Sequence, residues 1–179
     1  MPRHAAFLRG MNLGGRRVTN AELCAVLVDV GFENPAAFLA SGNLVFDAPR
    51  TKPAQIAARM EKGFREALEY EVPTFLRSAD EVRAIAARDV FAKERAKSRG
   101  KLQVMLLMEK PAPAARRRAL ALATDEDRLE LDGRELYWLP QGGILESELD
   151  MKGLDKALGL MTTRTFRTIE RLSAKFFDA

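Results

Sequence analysis

The spacing of apolar and polar residues changes character several times along the chain. RHAAFLR, residues 3–9, reads as a strand. Thr19 and Glu22 then form a T-x-x-E box ahead of NAELCAVLVDVG, whose apolar spacing is helical and stops at Gly31. AAFLA (36–40) and LVFD (44–47) predict two short strands around SGN (41–43), a hairpin turn signal. Over residues 53–70, Ile56, Met60, Phe64 and Leu68 fall on one helical stripe, and VPTFLRS (72–78) returns to strand. The first half therefore predicts strand–helix–strand–strand–helix–strand.

Ser78 and Glu81 form a second capping box, which opens a helix over about 79–88. The charged AKERAKSRGK (92–101) predicts an exposed connection, and LQVMLLME (102–109) a strand. A helix over 113–123 and a hairpin in RLELDGRELYWL (128–139), turning at Asp132-Gly133, follow. A loop with Gly142-Gly143 leads into two helices, near 150–159 and 163–177. The order of elements repeats that of the first half. The hairpins correspond too, Gly42 preceding Phe46 by four residues as Gly133 precedes Tyr137. The fold class expected is α+β, with two ferredoxin-like βαββα(β) halves and mainly antiparallel sheets. Residues 1–78 form the first half, 79–101 a linking helix and charged connection, and 102–179 the related second half with the C-terminal helices.

Composition narrows the classes. With 179 residues and 47% apolar content the chain supports a real core. Its apolar stretches are interrupted long before the ~20 residues of a membrane span, and the N-terminus lacks a signal-peptide pattern. A single cysteine, Cys24, allows no internal disulfide and fits a cytoplasmic setting. The formal charge of +4 permits an anionic partner without demanding one.

The feature needing most explanation is FLRGMNLGGRR, residues 7–17. Three glycines lie within six residues, flanked by Arg9, Arg16 and Arg17. In a split strand–helix–strand half, the end of the first strand and the turn between the second and third share one sheet edge. RGMNLGG and SGN should therefore be neighbours. Bare glycine amides from two such turns make an anion-binding concavity, and the N-terminus of the first helix would point the same way. Glycines at these positions suit a plain tight connection equally well, and the loop matches neither the dinucleotide nor the phosphate-loop pattern. A second basic segment is MTTRTFRTIERL (161–172). Here Thr162 or Thr163 caps the last helix, with Arg164, Arg167 and Arg171 on one face, read chiefly as a solvated stripe.

LRGMNLGG, ASGNLVF, and the later LG and TTRT together resemble a bacterial family catalogued as domain of unknown function 1697, over nearly the whole chain. That family's late motif reads like T-T-R-N-W-N-T. Here it is Thr162-Thr163-Arg164-Thr165-Phe166-Arg167-Thr168, matching the threonines and Arg164 but not the asparagines or the tryptophan. The resemblance implies a two-part α+β fold with ferredoxin-like halves and supplies no activity. It ties the loop, the turn and Arg164 together. The candidate ligand-binding residues are Arg9, Gly10, Asn12, Gly14, Gly15, Ser41, Gly42, Asn43, Thr163 and Arg164.

Catalytic signals are weak. His4 alternates with Ala6 and Leu8 and reads as a satisfied or edge histidine; Cys24 reads as a buried, inert thiol. The two make no zinc site, and Glu146, Glu148 and Asp150 read as loop solvation, so no metal is expected. No nucleophile stands beside a base, and catalytic residues and cofactors stay open. A small anionic ligand is the first expectation. A nucleic-acid module, through Lys93, Arg95, Lys97, Arg99 and Lys101, is second. An oligomeric or partner-binding role using Phe176 and Phe177 is third, with no membrane partner and an open oligomeric state.

Overall fold

The apolar strand at the N-terminus becomes β1, Arg3–Leu8, and it is the strand on which the first half is built. A computed structural model describes residues 1–11, 14–40 and 42–178 of the chain. β1 pairs antiparallel with β3 (Asn43–Asp47) on one side and β4 (Thr74–Ser78) on the other. β2 (Glu33–Ala37) adds an outer strand, giving the order β2-β3-β1-β4. Helices α1 (Asn20–Asp29) and α2 (Pro53–Leu68) lie on one face. Their stripe of Leu23, Leu27, Ile56, Met60 and Phe64 packs with Ala6, Leu8, Leu44, Phe46 and Leu76. Burying such side chains is worth about 1.5–3 kcal/mol each, which is what holds a sheet of five-residue strands.

The second half repeats the plan. Its strands are β5 (Gln103–Leu107), β6 (Asp127–Asp132), β7 (Glu135–Pro140) and β8 (Met161–Thr165), in the order β6-β7-β5-β8. Before β5 come α3 (Ala79–Ala86) and the single turn α4 (Ala92–Arg95). α5 (Pro113–Leu120) and α6 (Met151–Leu158) pack their apolar side, with Leu149, over Met105, Leu107, Leu136 and Trp138. The last helix is α7, Phe166–Phe176. Corresponding strands pair in the same register. Ala5 lies opposite Arg77 as Val104 lies opposite Arg164, and His4 opposite Ser78 as Gln103 opposite Thr165. Both halves are thus antiparallel βαββαβ sheets, each followed by a helix.

Three local expectations need correction. β8 was not expected as a strand: TTRT pairs with β5 instead of opening the last helix. Thr162 and Thr163 are therefore not caps, and Thr165 takes that place, its Oγ1 accepting from the Thr168 N–H at 3.3 Å. Arg164, on the strand, shares no helical face with Arg167 and Arg171. β2 begins earlier than expected and stops at Ala37, because Leu39 adopts a left-handed conformation with φ +59°. Pro35 is tolerated because β2 is an edge strand, with a bulge between Glu33 and Ala36. The 92–101 segment is anchored as well as exposed, since Ser98 Oγ donates to the Pro140 carbonyl at 2.7 Å.

The chain divides into two compact units, Met1–Ala84 with the chain from Leu172 onward, and Ile85–Arg171. The C-terminal turns of α7 therefore belong with the first unit, not with the second half as the order of elements suggests. There Phe176 stands edge-on to Phe38, ring centroids 6.0 Å apart, and Arg83 Nη1 donates to the Phe177 carbonyl at 2.8 Å.

Candidate functional site

In the first unit, the turn after β1 and the turn before β3 adjoin. The Leu8 N–H donates to the Gly42 carbonyl at 2.8 Å. A side chain on Gly42 would strike Leu8 Cβ at 2.8 Å, so only glycine allows this approach, and its φ of +74° excludes most other residues besides. Gly10, Gly14 and Gly15 have φ of +76°, +64° and +79°. Nothing lies within 4 Å of where a side chain would stand on Gly14 or Gly15, so their backbone is open to solvent. Met11 points the other way, into the core between sheet and helices.

Three arginines flank this loop in sequence. The Arg9 N–H donates to the Pro73 carbonyl at 3.1 Å, tying the loop to the approach to β4. Arg16 lies over the Tyr70 ring, its guanidinium carbon 3.9 Å from the centroid. Tyr70 escaped the sequence reading. Its hydroxyl is buried and has no hydrogen-bond partner among the described residues, and only the α2–β4 connection brings it to Arg16. Arg17 is exposed. Asn43 is buried, and its amide donates to the Phe38 carbonyl at 3.0 Å, closing the turn. Asn12 and Ser41, both candidates, lie outside the described residues.

One expected contribution is already occupied. The N-terminus of α1 carries its own anion, since Glu22 accepts from the Thr19 N–H at 2.7 Å and from its hydroxyl at 2.8 Å. These hydrogen bonds hold the Glu22 carboxyl below its ordinary value. The positive end of the helix is answered within the chain by Glu22.

Thr163 and Arg164 belong to the second unit. Thr163 is exposed; Arg164 is partly buried, and its Nη1 donates to Thr162 Oγ1 and to the Thr163 carbonyl, both at 2.8 Å. Burial pulls its guanidinium down to about 10. Burial also raises the Cys24 thiol, which disfavours the reactive thiolate. Glu146 accepts from the Gly143 N–H at 3.4 Å and Asp150 from the Gly153 N–H at 2.8 Å, so both act as caps.

Residues 1–137 match a family described as "Protein of unknown function (DUF1697)". The chain belongs to the DUF1697 family. Nothing among curated proteins matches this DUF1697 chain significantly. It is similar to a solved structure, the conserved bacterial protein SP0830 from Streptococcus pneumoniae. The two share 20% identity over 97% of each chain, with a TM-score of 0.72, a likeness of fold. Among the described residues of the DUF1697 chain, no helix is long and apolar enough to cross a membrane.

Proposed function

We propose that this DUF1697 protein binds a small anionic molecule, bearing phosphate or carboxylate, at the rim where Gly10, Gly14 and Gly15 and the turn before β3 lie. The reading is carried by the Leu8–Gly42 hydrogen bond, which joins two left-handed glycine turns beside open backbone at Gly14 and Gly15. Successive uncovered amides in such turns form a concavity suited to an anion. Arg9 and Arg16, which flank the loop in sequence, supply the charge. Arg16 is already stacked on Tyr70 and so loses less side-chain freedom on binding.

The test is thermal-shift screening and calorimetric titration against nucleotides, sugar phosphates and small carboxylates. At least one should bind saturably, and Arg16→Ala or Gly14→Val should weaken it by about tenfold, the scale of one charge-assisted contact. A panel that leaves both melting temperature and heat unchanged overturns the reading.

A further inference from the structure

The second unit holds a basic cleft remote in sequence from the glycine rim. Its volume is about 330 Å³, and it is lined by Arg95, Lys101, Arg167 and Arg171 with the hydroxyls of Thr165 and Thr168. The two basic segments, separate in the sequence, line one cavity in the fold. Four cations share the lining with one carboxylate, Glu170.

Among the described residues, Arg95, Lys101 and Arg167 make no ion pair. Arg95 is held by an aromatic ring, its guanidinium carbon 4.9 Å from the centre of Phe166. Phe166 is in turn fixed by its N–H, which donates to the Leu102 carbonyl at 2.9 Å. Thr165 Oγ1 and Thr168 Oγ1 are 2.8 Å apart. Their mutual bond uses one hydroxyl hydrogen and leaves the other for a ligand. Positive groups gathered round a cavity without matching carboxylates repel one another until an anion enters.

The internal repeat shows what the same place holds in the first unit. Ser78 corresponds to Thr165 through the strand register, so Glu81 corresponds to Thr168. Glu81 Oε2 accepts from the Ser78 N–H at 2.8 Å, so there the chain provides its own carboxylate. In the second unit that residue is a threonine, and the surrounding cations face an open cleft.

We propose that this cleft binds a small phosphate-bearing ligand. Guanidinium groups pair with phosphate through directed, charge-assisted hydrogen bonds, and Arg95, Lys101 and Arg167 outnumber Glu170 by two, which suits a dianion better than a monocarboxylate. The volume, at the lower end of ligand pockets, holds a phosphate with a short organic remainder. The cavity and the three cations without an ion pair among the described residues, Arg95, Lys101 and Arg167, carry this inference, and it stands independently of the glycine rim.

The experiment is calorimetry and amide chemical-shift mapping of the full chain, titrated with inorganic phosphate and with glycerol phosphate. Saturable binding is expected, moving the amides of Gly100, Arg167 and Thr168. Arg95→Ala and Arg167→Ala should each weaken it by about tenfold, and Arg167→Lys by less. Arg117→Ala, which removes an exposed charge from α5, should change nothing. Three results overturn the inference: no saturable heat with either probe, equal weakening in Arg117→Ala, or shifts confined to Gly14 and Gly15, which would leave the rim reading intact. Tighter binding of a single-stranded oligonucleotide that depends on Lys97 and Arg99 would also overturn it, by making the surface a nucleic-acid site. Unfolding midpoints of the variants, measured alongside, separate lost binding from lost folding.

Discussion

His4 shows how much a single position can hide. Its alternation with Ala6 and Leu8 places it on the helix-covered side of β1, and the structure puts its ring edge-on to Phe46, centroids 6.0 Å apart. The sequence suggests a satisfied or edge histidine. The residue is instead 8% exposed, and neither ring nitrogen is hydrogen-bonded among the described residues. Burial pushes its pKa below the usual 6.5, opposed only in part by the charges of Glu81 and Asp47. The folded chain therefore resists a proton that the unfolded chain accepts. Stability contributed by neutral His4 is complete above 6.5 and declines as pH falls from there through the lower folded pKa. Urea unfolding between about pH 5 and 7 should show this decline, and His4→Phe should flatten it. An unchanged slope would mean that His4 protonates as freely folded as unfolded. No pattern of neighbours in sequence reveals an unpartnered nitrogen, because partners come from strands paired across the sheet.

At the scale of elements, legibility followed the strength of local signals. The Thr19 and Glu22 box formed as read, and so did the one at Ser78 and Glu81, because a cap is made within four residues. The stripe of α2 is buried as its spacing requires. β8 was missed because Met161 is its only apolar residue and threonines before a helical pattern look like caps. Pairing with β5 decided its conformation, and threonine's branched side chain suits a strand once a partner is there. The 98–100 segment is a similar case. Arg99 and Gly100 N–H groups both donate to the Gln141 carbonyl at 3.1 Å, and a Cβ at Gly100 would stand 1.9 Å from the Pro140 carbonyl oxygen. Gly100→Ala should therefore destabilise the chain by about 1–3 kcal/mol or more, as overpacking against backbone does. Denaturant unfolding followed by the fluorescence of Trp138, the single tryptophan, checks this. A loss below about 0.5 kcal/mol, typical of an exposed site, would mean the segment detaches freely.

For the whole molecule, the repeat is the main fact. Two βαββαβ sheets of identical strand order arise from one chain, and the likeness to SP0830 extends over 97% of both chains at 20% identity. A packing pattern therefore persists where most residues differ. The order of elements misassigns the C-terminus. Leu172 and Phe177 are buried and, with Phe176 against Phe38, belong with the first unit. Ending the chain after Arg171 should cost on the order of 3 kcal/mol, the scale of losing large buried side chains. Hydrogen exchange should locate the damage in β2 and β3 and spare the β6–β7 hairpin. Equal loss of protection in both sheets would contradict the division.

What the sequence determined alone was what neighbouring residues decide among themselves: the strand and helix periods, two capping boxes, the glycine turns, the repeated order of elements and the family resemblance. The tertiary structure decided everything that needed a partner distant along the chain. It made a strand of TTRT, bound Gly42 to Leu8, laid Arg16 on Tyr70 and gathered two basic segments around one cleft. The reason is physical. Backbone preference and periodicity act over a few residues, whereas burial and hydrogen-bond satisfaction depend on which surfaces the finished fold brings into contact.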